Sequence, residues 1–171
     1  MPSLAVCHPN VSCEFYIYSQ WISTCSGMFR KEAFEFSRFP ENFITYSNNE
    51  YLYFSYSLFL QQAGKLVYTS KVKYKNIFTN DGRLPTLPLI YQMEVNDYFI
   101  FIKLFKKNPK NIIIFAKSRI GRLLYNIYQS IFKTKISIRL IYHSFGASIY
   151  PLINIKKIFN GDLSFYERDF G

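Results

Sequence analysis

Between Ser118 and Lys133 the apolar residues keep a helical period. Ile120, Leu123, Leu124, Ile127, Tyr128, Ile131 and Phe132 recur at i, i+3, i+4, i+7, i+8, i+11 and i+12. That spacing gathers them on one side of an amphipathic helix over about 119–133. Ser118 suits its N-cap, because a serine hydroxyl can accept from an early backbone N–H. The flanking segments have a different character. Ile112–Phe115 and Ile136–Tyr142 are short apolar runs that read as strands, and Thr134 and Lys135 turn the chain between helix and second strand. Strand, helix and strand in this order predict a βαβ-like unit at about 111–142, whose apolar stripe would pack on a sheet.

The upstream chain reads as rich in strands. Residues 1–13, with Pro2 and Pro9, form an irregular tail. Glu14–Ile22 is aromatic and reads as a strand. Met28–Phe39 reads as a helix, stopped by Pro40, with Phe29, Ala33, Phe36 and Phe39 near one face. Its Glu32 and Glu35 read as a solvated pair beside Arg30 and Lys31 rather than as an acid–base pair. Tyr51–Leu60, aromatic and uncharged, reads as an aggregation-prone strand. Lys65–Thr79 shows two-residue alternation, and Asn80-Asp81-Gly82 suits a tight turn. Pro85 and Pro88 reduce Leu84–Gln92 to an edge or a loop. Phe99–Phe105 reads as a further strand. The expected fold is therefore mixed α/β, strand-rich over its first two-thirds, in a single domain of 171 residues.

Charge is unevenly placed along the chain. The net charge is +10, yet residues 98–161 hold no acid and twelve Lys or Arg. A field of that size attracts phosphate, either in nucleic acid or on an anionic membrane. Lys103, Lys106, Lys107 and Lys110, interleaved with Phe101 and Phe105, are candidate contacts, together with Arg119 and Arg122 on the predicted helix. Such a helix can lie on an anionic bilayer with its apolar side inserted. The composition also fits plain base bias. Ile, Phe, Tyr, Lys and Asn dominate and all use A/T-rich codons, as they would in a reading frame never selected to encode a protein.

No cofactor or metal is expected. Cys7, His8, Cys13 and Cys25 lack ligand spacing, since Cys7 and His8 are adjacent and no Cys-x-x-Cys pair occurs. An odd cysteine count also argues against a closed disulfide framework. Asn10-Val11-Ser12 is a glycosylation triplet of consequence only in a secreted chain. The N-terminus lacks the pattern of a secretory signal, because His8, Pro9 and Asn10 interrupt it. The best spanning candidate, Ile136–Ile155, carries Arg139, His143, Pro151 and Asn154, and a charged Arg within a span is costly in a bilayer. An intracellular location is the default expectation.

One stretch carries a resemblance to a known family. Ile138-Arg139-Leu140-Ile141-Tyr142-His143-Ser144-Phe145-Gly146-Ala147 resembles the nucleophile elbow of α/β-hydrolases, in which a strand runs into G-x-S-x-G and then a helix. Over about residues 111–160, the resemblance implies Ser144 as nucleophile and the Phe145 N–H as an oxyanion donor. Tyr142 replaces the first Gly, and Pro151 falls within the helix that should follow. The family orders its triad Ser, acid, His, and here the two His, His8 and His143, both precede Ser144. Without a base Ser144 stays a neutral hydroxyl. The expectation is a chain that is not an enzyme. Two positive readings stand beside it: a hydrolase-like protein lacking a triad, and a basic module for an anionic membrane surface or nucleic acid.

Overall fold

The computed structural model describes residues 17–20, 27–41, 43, 49–69, 86–132 and 138–170. Its elements are β1 (Ile17–Ser19), α1 (Ala33–Phe36), α2 (Glu50–Leu60), β2 (Leu66–Tyr68), α3 (Thr86–Leu104), α4 (Pro109–Phe132), α5 (Ile138–Ile153), α6 (Ile155–Asn160) and α7 (Ser164–Phe170). The mixed α/β expectation is overturned: helix dominates, and the described sheet has two strands. Chain contacts separate a first unit, with β1, α1, α2 and β2, from a second, with Phe43 and α3 to α7.

The first unit is built around one phenylalanine. Phe54 on α2 is wholly buried. Its ring stacks on Phe39 at 4.6 Å and Phe34 at 5.1 Å, and meets Phe29 edge-on at 5.0 Å. The expected strand at Tyr51–Leu60 is helix because burial is not confined to alternate residues: Leu52 and every residue from Phe54 to Leu58 are buried. A short apolar run of this kind has no period that separates strand from helix, so packing decides. Ser55 donates to the Tyr51 carbonyl at 2.7 Å, an i−4 bond available only in a helix. Strand does form within two segments read as strands, inside Glu14–Ile22 and at the start of Lys65–Thr79. β1 and β2 pair antiparallel, with Ile17 opposite Tyr68 and Ser19 opposite Leu66. The helix expected at Met28–Phe39 is confined to α1. Residues 1–13, the Asn80-Asp81-Gly82 turn and all three cysteines lie outside the described residues.

Every described regular element of the second unit is a helix, which corrects four expectations. The described part of Leu84–Gln92, from Thr86 onward, is helix and not an edge or loop. Helix α3 begins at Thr86, so Pro88 falls in its first turn, where a missing N–H forfeits no helical bond. Phe99–Phe105 is the C-terminal end of α3 and the residue after it. Ile112–Phe115 is the opening of α4 rather than a strand. Pro109 starts that helix, and the Asn108 side chain accepts from the Asn111 N–H at 2.8 Å, capping it ten residues before the predicted cap at Ser118. The expected strand at Ile136–Tyr142 enters α5 from Ile138 onward. The βαβ unit is thus a helical hairpin in its described parts, and among the described residues of the second unit no strand offers the α4 stripe a sheet to cover.

Local signals stop and start the shorter helices. Gly161, at φ 85°, ends α6, where its N–H and that of Asp162 return to the Ile158 and Lys157 carbonyls. The Asp162 carboxylate then accepts from the Ser164 N–H and hydroxyl at 3.0 and 2.6 Å as α7 begins. Tyr166 on α7 donates to the Pro88 carbonyl at 2.7 Å, closing the unit across 78 residues of chain.

Candidate membrane interface

Helix α4 is turned the opposite way from the usual amphipathic helix. Its buried residues are Phe115, Arg119 and Ser130. Ile113, Ile120, Leu124, Tyr128 and Ile131 are all exposed, Leu124 to 59%. Most of the apolar stripe read from the sequence faces outward, with Leu123 and Ile127 half-buried. The polar side faces inward because α3 offers it partners. Glu94 and Asp97 stand three apart on α3, and Arg119 and Arg122 stand three apart on α4, so each pair shares a helix face.

The four side chains form one buried cluster. Arg119 pairs with Asp97 directly and lies 3.5 Å from Glu94; Arg122 lies 2.6 Å from Asp97 and 3.4 Å from Glu94. Asp97 is 1% exposed, Glu94 3% and Arg119 6%. Two positive and two negative charges balance, as burial at this depth requires. Burial pushes the Glu94 carboxyl above the usual carboxylate range, against the opposing pull of Arg119 and Arg122. Next to the cluster, the Arg119 guanidinium lies 5.0 Å over the Phe115 ring, which stacks on Phe101 at 4.2 Å.

Helix α5 shows the same inversion. Ser144, Ala147 and Pro151 are its buried residues. Ile138, Tyr142, Phe145, Ile149, Leu152 and Ile153 are exposed, Tyr142 to 72%. Small residues inside let neighbouring backbones approach. At Gly146 an added Cβ would lie 2.4 Å from the Tyr91 hydroxyl of α3. That hydroxyl is 3.3 Å from His143 Nδ1, and the Tyr91 ring packs on Phe170 at 4.6 Å. Ser144 is in mid-helix, 1% exposed, with its hydroxyl donated to the Leu140 carbonyl at 2.8 Å.

The candidate cations separate into two groups. Arg119 and Arg122 pair with Glu94 and Asp97 inside the unit, Arg119 buried and Arg122 half-buried. Lys103 donates to the Phe159 carbonyl at 3.3 Å, and the Lys107 ammonium sits 4.5 Å over the Phe159 ring, both bracing α6. Lys106 and Lys110 are exposed, as are Lys117, Arg139 and Lys156 on the outward-apolar helices and α6. Sequence reasoning missed Glu94 and Asp97. The matching three-residue spacings of the acids and the arginines were the signal that could have paired them.

No group of His, Cys, Asp and Glu among the described residues could hold a metal ion. None of the described helices is long and apolar enough to cross a membrane. No protein-family model, curated protein or solved structure matches the chain.

Proposed function

We propose that the helical unit binds the surface of an anionic membrane, with the outward sides of α4 and α5 in the boundary between headgroups and acyl chains. The inversion of α4 carries this reading. A helix in water turns its apolar side to the core, whereas α4 turns Ile113, Ile120, Leu124 and Ile131 out and Arg119 in. Exposed apolar surface of this extent marks an interaction face. Its charge complement is the acid-free stretch 98–161, where exposed Lys106, Lys110, Lys117 and Arg139 each add about 1 kcal/mol near an anionic surface. The reading is non-catalytic. Ser144's burial and its bond to Leu140 support that, because a nucleophile needs an exposed oxygen and a base.

Co-sedimentation with vesicles tests it. Uptake is expected on vesicles of phosphatidylcholine mixed with phosphatidylserine, with little on phosphatidylcholine alone, and loss at high salt. Leu124→Glu and Ile149→Glu together should abolish uptake while leaving the far-ultraviolet helix signal unchanged, since both side chains are exposed. Absence of uptake, uptake insensitive to these substitutions, a stable dimer that buries Leu124 and Ile149, or preference for single-stranded nucleic acid over vesicles would each overturn the proposal.

A further inference from the structure

The first unit holds a cavity of about 800 Å³, within the size range of small-ligand sites. Met28, Phe29 and Phe36 line it from the segment around α1, Leu58 from the end of α2, and Val67 from β2. These apolar walls suit a hydrocarbon chain. The charged lining residues are Arg30, Lys65 and Glu32, two cations against one acid. Lys65 is held in place by Tyr18, whose ring lies 5.2 Å from the ammonium and whose hydroxyl accepts from it at 3.5 Å. Among the described residues, neither Arg30 nor Lys65 has a carboxylate ion-pair partner.

We infer that this cavity binds a long-chain carboxylate, a fatty acid or its close analogue, with the tail among Phe29, Phe36, Leu58 and Val67 and the head between Arg30 and Lys65. An uncharged chain would leave the surplus cation unmatched, and a short anion would leave the aromatic walls in water. The inference concerns the first unit and does not rest on membrane binding by α4 and α5.

Equilibrium dialysis of the full chain against radiolabelled palmitate, below its aggregation threshold, tests it. Saturable binding is expected, with hexadecanol competing about tenfold less well. Arg30→Glu with Lys65→Glu should weaken palmitate binding by about tenfold or more. Phe36→Asp with Val67→Asp should do the same through the tail. All four residues are exposed, so circular dichroism should show each variant folded. Leu124→Glu with Ile149→Glu should leave palmitate binding intact, which separates this site from the helical faces. Absence of saturable binding, equal competition by hexadecanol, indifference to the charge reversal or to the tail pair, or loss on the α4 and α5 substitutions would overturn the inference.

Discussion

Gly146 shows how one residue can suit two unrelated local patterns. In a nucleophile elbow a glycine after the serine permits a tight turn. Here the same position lets a tyrosine from α3 reach the α5 backbone, since a Cβ would lie 2.4 Å from the Tyr91 hydroxyl and 3.4 Å from the ring carbon bearing it. The Tyr91 ring has no easy retreat, being packed edge-on against Tyr150 at 5.5 Å and against Phe170 at 4.6 Å. Gly146→Ala would gain up to about 1 kcal/mol of helix propensity in an open helix. The clash should reverse that sign and cost about 1–3 kcal/mol. Removing the hydroxyl with Tyr91→Phe should recover most of the loss. A double-mutant cycle by urea denaturation checks this; additive effects would mean that hydroxyl and Cβ do not meet. Phe54 offers a simpler case. Its ring fills the first unit's aromatic cluster, so Phe54→Ala should cost about 3–5 kcal/mol on the same scale.

At the scale of elements, the buried cluster fixes which side of α4 meets α3. Asp97 is the acid to which both arginines come closest, so Asp97→Asn should leave the buried Arg119 and half-buried Arg122 guanidinium groups against one carboxylate and cost about 3 kcal/mol. Glu94→Gln should be milder, because Glu94 lies farther than Asp97 from both arginines. The pH dependence follows from the upward shift that burial imposes on the Glu94 carboxyl. A carboxyl raised above its unfolded value binds its proton more tightly in the folded chain. Its contribution to stability is full below the ordinary glutamate value of about 4.3 and is lost as pH rises through the raised value. Parent and Glu94→Gln melting temperatures, compared from about pH 4 upward, should therefore differ by an amount that shifts against the parent as pH rises. A constant difference would mean that Glu94 titrates normally.

This cluster also marks where sequence reading ran out. The period of α4 was legible, and so were the residue types of its two sides. Which side turned inward was not, because that choice depends on acids more than twenty residues upstream. Asn108-Pro109 is a helix-start signal in the sequence that the strand reading of Ile112–Phe115 left unused. In α2 and α3, aromatic residues took strand readings that belong to helices, since burial on many sides erases the period. For the candidate site, the sequence supplied the basic stretch and the apolar stripe, both of which stand exposed in part. It also named two arginines that point inward.

For the whole molecule, the location of exposed apolar surface decides solubility. The sequence alone would blame Tyr51–Leu60, and Lys at Tyr53 and Leu58 would be the remedy. The structure moves the cause. Leu58 is 4% exposed within a helix, so Leu58→Lys would bury an unpaired ammonium and unfold the first unit. Exposed large apolar side chains are most numerous on α4 and α5, with Leu124 at 59% and Ile149 at 52%, while α2 contributes only Phe59 and Leu60 from its last turn. Adding charge there costs no buried contact and breaks the patches that let copies of the chain associate. The chain expressed alone should therefore be poorly soluble, and mild detergent or anionic vesicles should raise its soluble fraction. Leu124→Lys with Ile149→Lys should raise it without either, while Tyr53→Lys with Leu58→Lys should lower it and flatten the thermal melt. Centrifugation of expressed lysates, with circular dichroism of the soluble material, distinguishes the two. A rise with the α2 pair and none with the α4 and α5 pair would return the cause to Tyr51–Leu60 and remove the outward helix faces as the dominant exposed surface.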